Sequence, residues 1–347
     1  MNLVVLKFGG TSIRDKAGFE LAFKQIEYEL NQGSKVLCVV SAMGRENDYY
    51  STDSLKKLIS NYVTTKEQDR LISVGETISS VVFTDFLIKK GIRAISLATK
   101  ELGILTDNEY TNANIIDFDS SYIEKYLVDH DCIIAPGFQG LTREGLTSTL
   151  GRGGSDTTAI FLGIKLGAKY IKIVSDVDGI YSGDPRVIKN AYRYEQINYE
   201  QLVNITNNGS KVLHCKAAIL AENHKAPVMF CHIMDPSTYT FVTDENVPLF
   251  NVTSKHNYYA FTFSDEYQIK GVDHYLGSYY VGQNEVEHFE KFLNLNAIPY
   301  NKQSGFSKIS VLIGIDDKIH NKYAYVEDTK LIDHLNLIHD YYLFRGK

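Results

Sequence analysis

The sequence predicts an α/β protein: a three-layer αβα sandwich on a largely parallel central sheet, followed by a small α+β ferredoxin-like domain. Three observations predict it. Residues 1–245 alternate short β-branched runs with longer segments whose apolar residues recur at helical spacing. The chain has 347 residues, more than the roughly 250–300 that one core ordinarily fills, so two domains are expected, 1–245 and 248–347. From about residue 248 the texture changes: tyrosines cluster (Tyr258, Tyr259, Tyr267, Tyr275, Tyr279, Tyr280), glycine-rich stretches thin out and polar segments lengthen.

The first strand is "LVVLKFG", and a helix follows in which Phe19, Ala22, Phe23, Ile26 and Leu30 share one face. The next strands are "KVLCVVSA", "RAISLA", "DCIIAPG", "KYIKIVSDV" and "VMFCHI", again separated by helical patterns. Such alternation gives parallel strands with right-handed crossovers and places ligands at the strands' carboxyl ends. In the second domain "NYYAFTFS", "AIPYNKQ", "SKISVLIG" and "YYLFRG" read as strands, and "NEVEHFEKFLNL" and "EDTKLIDHLNLI" as helices. Their order is βαββαβ, with a long insertion after the first strand.

Composition narrows the function. A hydrophobic content of 44% is that of a soluble globular protein, and a formal charge of -6 speaks against a nucleic-acid partner. No apolar run reaches the ~18 residues that cross a bilayer, and no charged-then-apolar leader precedes the first strand. A cytoplasmic protein without membrane contact is expected. Cys38, Cys132, Cys215 and Cys231 form no CxxC pair and read as reduced thiols. The loose group Cys215, His224, Cys231 and His232 fits no common zinc spacing, so no protein-held metal is expected.

The chemistry lies at strand ends. "VVLKFGGTSI" (4–13) closes a buried strand on Lys7, Gly9 and Gly10; a lysine there calls for an anion, and paired glycines admit one closely. "TLGRGGSDTTAIFLGIKLGA" (149–168) runs a glycine loop into Ser155 and Asp156, expected N-caps of an apolar helix whose positive end suits a carboxylate or phosphate. Arg152, between Gly151 and the pair Gly153–Gly154, adds a planar cationic fork. "VSDVDGIYSGDPRV" (174–187) brings three acidic residues, Tyr181 and Arg186 into one long loop, the alternative being a simple Asp-Gly/Asp-Pro turn. Glu76 in "SVGETISS" either caps a helix or holds a substrate ammonium. Lys211 stands near a helix start, where a cation is unfavourable unless an anion joins it. No GxxxxGK[ST] loop, GxGxxG fingerprint or protein-kinase HRD/DFG set occurs.

Taken in order, "KFGGTS", "VVSAMGR" with "STDSL", "SVGETISS", "PGFQG", "TLGRGGSDTTA", "SDVDGIYSGDPR" and "GSKVLH" resemble the signatures of aspartate kinases, within the amino-acid-kinase superfamily. The resemblance covers roughly the first 245 residues. It implies transfer of phosphate from ATP, with Mg²⁺, to the side-chain carboxylate of L-aspartate, the entry to lysine, threonine and methionine synthesis. By the same resemblance Lys7, Gly9, Gly10, Ser175, Asp176, Tyr181, Arg186 and Lys211 would serve ATP. Ser41, Thr52, Glu76, Arg152, Gly153, Gly154 and Ser155 would hold aspartate, and Lys7, Arg152, Asp156 and Lys211 would be the catalytic groups. Two stretches depart from the family pattern, "ATKELG" (98–103) and "GSKVLHCK" (209–216). The C-terminal remainder has room for about one ACT-like unit plus an insertion, where the family usually has two, and a homodimer or higher oligomer through it is expected. The competing readings are a kinase for another acceptor and a catalytically weak amino-acid sensor.

Overall fold

Strand β1 (Leu3–Phe8) is buried almost end to end because both of its faces are covered, the condition under which a strand needs no polar alternation. The computed structural model describes all residues except 1, 46, 61, 246, 264–268, 297, 316–317 and 346–347. In chain order there follow α1 (Lys16–Asn31), β2 (Lys35–Val40), α2 (Thr52–Lys56), α3 (Thr65–Ile72), α4 (Val74–Lys89), β3 (Ala94–Ser96), β4 (Ile104–Thr106) and β5 (Ile115–Phe118). Next come α5 (Ser121–Asp129), β6 (Cys132–Pro136), β7 (Gln139–Leu141), β8 (Thr147–Thr149), α6 (Gly154–Lys165) and β9 (Ile171–Ser175). Then β10 (Gln196–Asn198), α7 (Tyr199–Asn207), α8 (Cys215–His224), β11 (Val228–His232) and β12 (Asp235–Thr243) complete the N-terminal part.

The chain divides into two compact units, the first made of Met1–Ile180, Glu195–Val203 and Val212–Glu245. Its eight-stranded sheet has the order β10-β12-β11-β9-β1-β2-β6-β3, parallel except where β12 runs back along β11. Alternation along β1 sorts the layers. Val4, Leu6 and Phe8 meet Phe19, Ala22 and Ile26 of α1 and Phe83 and Leu87 of α4. On the other face α6 lies so near that a Cβ at Gly163 would stand 2.4 Å from Ile171 and 3.7 Å from Val5. Truncating Phe83, fully buried, to alanine would cost about 3–5 kcal/mol. A four-stranded sheet, β5-β4-β7-β8, was not foreseen from the sequence, since its strands have only three or four residues each.

The 25-residue stretch Thr65–Lys89 is long and apolar enough to cross a bilayer by length and composition alone, but half of its most apolar window is buried in the protein. Buried Asp69 and Glu76 lie within it, the pattern of a core helix pair.

The second unit consists of Tyr181–Tyr194, Asn204–Lys211 and Asn246–Lys347. Its antiparallel sheet is ordered β14 (Asp273–Tyr275), β15 (Ser278–Gly282), β13 (Phe250–Thr262), β16 (Asn301–Ile315), β17 (Lys318–Glu327). Helix α9 (Val286–Leu295) buries Val286, Phe289 and Leu293 against Phe261, Tyr279 and Val281. Helix α10 (Leu331–Arg345) sets Leu331 and Leu335 on Val252, Ile309 and Val311. The class is the expected α+β, but the element order differs. Asn301–Gln303, the end of "AIPYNKQ", and "SKISVLIG" belong to one long strand, the inserted segment contains the β14–β15 hairpin, and β17 was missed. "YYLFRG", read as a last strand, continues α10 as far as Arg345 because nothing breaks the helical spacing of Leu331, Leu335 and Tyr342.

Candidate functional site

Parallel register builds the site. Phe8 is level with Val40 on one side and with Val174 on the other, and Val40 is level with Pro136. The chain therefore leaves β1, β2, β6 and β9 along one sheet edge, delivering Gly9–Gly10, Ser41, Gly137 and Ser175–Asp176 side by side. The connections are tied together there. Gly44 N–H donates to the Gly10 carbonyl at 2.9 Å, and Arg14 pairs with Asp48 at 2.9 Å. A Cβ on Gly10 would lie 2.3 Å from the Ala42 carbonyl oxygen, so only glycine fits.

Lys7 points to the α6 face of the sheet, and its Nζ is 2.6 Å from Asp156 Oδ1, with both side chains largely buried. The start of α6 corrects the capping expectation. The N-cap is Gly153, in the left-handed region at φ 74°, and no side chain caps the helix; Ser155 and Asp156 lie inside its first turn. Gly154 N–H donates to the Gly151 carbonyl at 2.9 Å, which leaves the Ser155 and Asp156 N–H groups of this turn, without a side-chain cap, to face an anion beside the Lys7–Asp156 pair. Arg152 is exposed on the loop before it. The turn after β6 abuts the helix: a Cβ at Gly137 would sit 2.8 Å from Ser155 Cβ, and Phe138 N–H donates to Thr158 Oγ1 at 3.1 Å.

Glu76 occupies the first turn of α4 with 2% exposure. Its Oε1 accepts from the Ala42 N–H at 3.0 Å, which ties it to the end of β2. Its Oε2 is buried with no hydrogen-bond partner. Burial pushes the carboxyl up to about 8, against the smaller downward pull of the Ala42 N–H. Such a group is suited to receive a cation. Close by, Gly75 lies under the Tyr50 carbonyl, and Ser51 caps the short helix that begins at Thr52.

The structure thus joins Lys7, Gly10, Ser41, Glu76, Ser155 and Asp156 through direct contacts or adjacent residues, with Thr52, Gly9 and Gly153–Gly154 on the same connections. Ser175 ends β9, where its Oγ both accepts from and donates to Val177 in a local turn. Tyr181, Arg186 and Lys211 belong to the second compact unit. There Arg186 forks onto Asp184, Nε to Oδ1 at 3.0 Å and the terminal nitrogen to Oδ2 at 2.9 Å. Arg186, with a weaker contribution from Lys211, holds the Asp184 carboxyl below its ordinary range.

Two supporting residues escaped the sequence reading. Buried Asp69 of α3 accepts from Thr111 N–H, Thr149 N–H and Thr149 Oγ1 at 2.7–2.8 Å, fixing the strand that feeds the glycine loop; desolvation raises its carboxyl. His214 lies against Gly153, where a Cβ would come within 2.1 Å of its own Cβ, and its Nδ1 accepts from Lys216 N–H. Burial lowers the imidazole's pKa. Nothing in a single sequence marks either as special. Asp69 resembles any helical acid, and His214 was noted only as part of "GSKVLH". Among the described residues no three His, Cys, Asp or Glu side chains form a metal cluster, and Cys38, Cys132 and Cys231 are buried free thiols.

A lysine, a helix start without a side-chain cap and a buried carboxylate oxygen without a hydrogen-bond partner thus lie along one edge of a doubly covered, largely parallel sheet, the arrangement of an α/β protein with its site at the strand ends. The chain belongs to the amino acid kinase family, whose model matches residues 2–232. It is 41% identical over 249 residues to Aspartokinase 1 of Bacillus subtilis, an alignment spanning 71% of this chain and 62% of that protein. With the Aspartokinase of Geobacillus stearothermophilus it shares 37% over 245 residues, 71% of this chain and 60% of the relative. The matched region therefore spans about three fifths of these curated relatives. In fold it is similar to a crystal structure of E. coli aspartokinase III in complex with aspartate and ADP, at TM-score 0.74 and 18% identity, covering 98% of this chain and 99% of that one.

Proposed function

We propose that the protein is an aspartate kinase, transferring the γ-phosphoryl group of ATP to the side-chain carboxylate of L-aspartate to give 4-phospho-L-aspartate and ADP. The observation that carries the reading is the pairing, at one sheet edge, of the Lys7–Asp156 ion pair with Glu76, whose buried Oε2 lacks a partner. On this reading Glu76 receives the substrate ammonium, and Arg152, Ser155 and the loop Gly153–Gly154 receive its carboxylates. Ser41 and Thr52 complete the acceptor side. Lys7, Gly9, Gly10, Ser175, Asp176, Tyr181, Arg186 and Lys211 serve the nucleotide.

The acceptor is a carboxylate already ionised at neutral pH, with a reference pKa near 3.9, so no general base is required. What remains is alignment and neutralisation of charge between two anions, which lysines and helix N-termini perform. Asp156 orients the Lys7 ammonium toward the transferring group. Mg²⁺ would neutralise the phosphates from the nucleotide's own oxygens and waters, a mode that suits the described residues, among which no three His, Cys, Asp or Glu side chains form a metal cluster.

In the same reading 1–245 is the catalytic domain and 248–347 an ACT-like regulatory and dimerisation domain, in a cytoplasmic homo-oligomer of amino-acid biosynthesis. The test is ATP-dependent acyl-phosphate formation trapped with hydroxylamine, offered L-aspartate, L-glutamate and N-acetyl-L-glutamate in turn. Product from aspartate alone is expected. Silence on aspartate with ADP binding intact would overturn it in favour of an amino-acid sensor or another acceptor.

A further inference from the structure

We infer that Arg152 is aimed from outside its own loop, by the turn that joins β4 to β5 (residues 107–114), with Asp69 and Lys216 as the positioning residues. The inference rests on the reading above, under which Arg152 receives a substrate carboxylate. Every residue it uses belongs to the first compact unit.

The loop cannot fix Arg152 by itself. The side chain is exposed, so its direction follows the backbone beneath it. Gly151 and Gly153 flank it, both at positive φ, 77° and 74°, and glycine leaves a backbone more freedom than any other residue. Each glycine, however, lies against a neighbour. A Cβ on Gly151 would come within 2.7 Å of Asn112 Oδ1 and 3.0 Å of the Thr111 carbonyl oxygen, and one on Gly153 within 2.1 Å of His214 Cβ. What the two glycines approach therefore sets the path of Arg152.

The turn above Gly151 is held in a conformation it would not choose. Thr111 sits at φ 70°, where a β-branched residue is rare and persists only if its surroundings over-determine it. Asp69 supplies that constraint. Its Oδ2 accepts from Thr111 N–H at 2.8 Å and from Thr149 N–H at 2.7 Å, so one oxygen clamps the turn to the strand that leads into the glycine loop. Its Oδ1 takes the Thr149 hydroxyl at 2.8 Å. Ala113 N–H adds a bond to the Thr149 carbonyl at 2.9 Å. A carboxylate is costly to bury, and its place here answers to donors that an apolar side chain would leave stranded.

Lys216 closes the frame. Its ammonium donates to Asn112 Oδ1, the atom that covers Gly151, and its N–H donates to Nδ1 of His214, the residue that covers Gly153. One residue thus joins the neighbours of both glycines. This gives a role to the lysine of "GSKVLHCK" (209–216), a stretch that departs from the family pattern.

The test uses the full chain, with aspartate Kd and ADP Kd by calorimetry and aspartate KM from hydroxylamine trapping. Asp69→Ala should raise the aspartate Kd and KM about tenfold and Lys216→Met about threefold, with ADP Kd moving less than about twofold. In an Arg152→Ala background neither substitution should raise them further, since both act through the guanidinium. Asp69→Asn should recover most of the loss, because its amide oxygen can keep both N–H bonds and its nitrogen can donate to the Thr149 hydroxyl. If Asp69→Ala does not fold, Asp69→Asn and half-buried Lys216→Met carry the measurement in both backgrounds. Folded Asp69→Ala or Lys216→Met with unchanged aspartate affinity, or losses that add to that of Arg152→Ala, overturn the inference while leaving the kinase reading intact. A wild-type chain that binds aspartate but makes no acyl phosphate overturns the kinase reading, and the Kd series still decides the frame. One that binds no aspartate overturns both.

Discussion

Glu76 is the residue at which stability and function pull in opposite directions. Its folded pKa of about 8 exceeds the ordinary 4.5, so between those values the folded chain keeps a proton that the unfolded chain has released. Stability therefore falls as pH rises through this window and is least affected below it. Glu76→Gln cannot ionise, so in the absence of aspartate its melting temperature should gain on wild type progressively from pH 5 to pH 8 by calorimetry. A gain independent of pH would show that burial does not perturb this carboxyl. Binding an ammonium needs the carboxylate, so wild-type aspartate KM should fall over pH 6–8, whereas Glu76→Gln should have an aspartate KM about 10²-fold higher and flat with pH. Lys7 has a different signature. In the proposed reaction it faces the charge that moves during transfer, and Lys7→Ala should then lower kcat by about 10²-fold or more while changing aspartate KM little. Unchanged turnover would remove it from the reaction.

At the scale of elements, the glycine loop shows how backbone conformation and packing combine. Gly153 and Gly145 both take positive φ, 74° and 76°, but a Cβ at Gly145 meets nothing within 4 Å whereas one at Gly153 runs into His214. Gly145→Ala should cost about 1–2 kcal/mol for its backbone alone. Gly153→Ala must also displace His214 and the start of α6, so denaturant titration should show the larger loss and activity should fall with it. Equal losses would mean that His214 moves aside freely. Much of this element level was legible beforehand. The strand ends bearing Lys7, Ser41 and Ser175 follow from β-branched runs and crossover rules alone. The N-cap was misplaced by two residues because Ser155 and Asp156 have the right chemistry, while the left-handed Gly153 is visible only in the backbone. The last strand was misread because "YYLF" is aromatic enough for a sheet, and the helical packing of α10 prevailed over that propensity. Asp69 was invisible for a deeper reason: it matters through partners more than forty residues away in sequence, Thr111 and Thr149.

At the scale of the molecule, the sheet of the second unit ends in unequal edges, three-residue β14 on one side and ten-residue β17 on the other. A long edge is a template for pairing, and a two-fold axis closes two such edges antiparallel on each other. Under the proposed homodimer, β17 is therefore the edge at which pairing is expected. The register shows which groups would do the pairing. Ile315 and Lys318 are partners, as are Ile313 with His320 and Val311 with Lys322. Hydrogen-bonded pairs alternate along an antiparallel ladder, and Gly314, the partner of Ile319, turns its N–H away from β17 to the Leu249 carbonyl at 2.8 Å. Even-numbered residues of β17 thus direct their N–H groups at β16, and Asn321 and Tyr323 direct theirs outward. Asn321→Pro removes an outward donor without breaking the β16 ladder, and proline is tolerated on such edges; it also removes the Asn321 Nδ2 bond to Asn208 Oδ1 at 3.1 Å, a loss that Asn208→Ala reproduces alone and that should leave the dimer intact. Light scattering on the intact chain should show a dimer for wild type and a monomer of undiminished helix content for Asn321→Pro. Lys322→Pro, by contrast, should destabilise the hairpin itself. A wild-type monomer, or a dimer indifferent to Asn321→Pro, would move the interface away from β17 and leave the edge to its charged side chains, Lys322 and Glu327, as a guard against pairing.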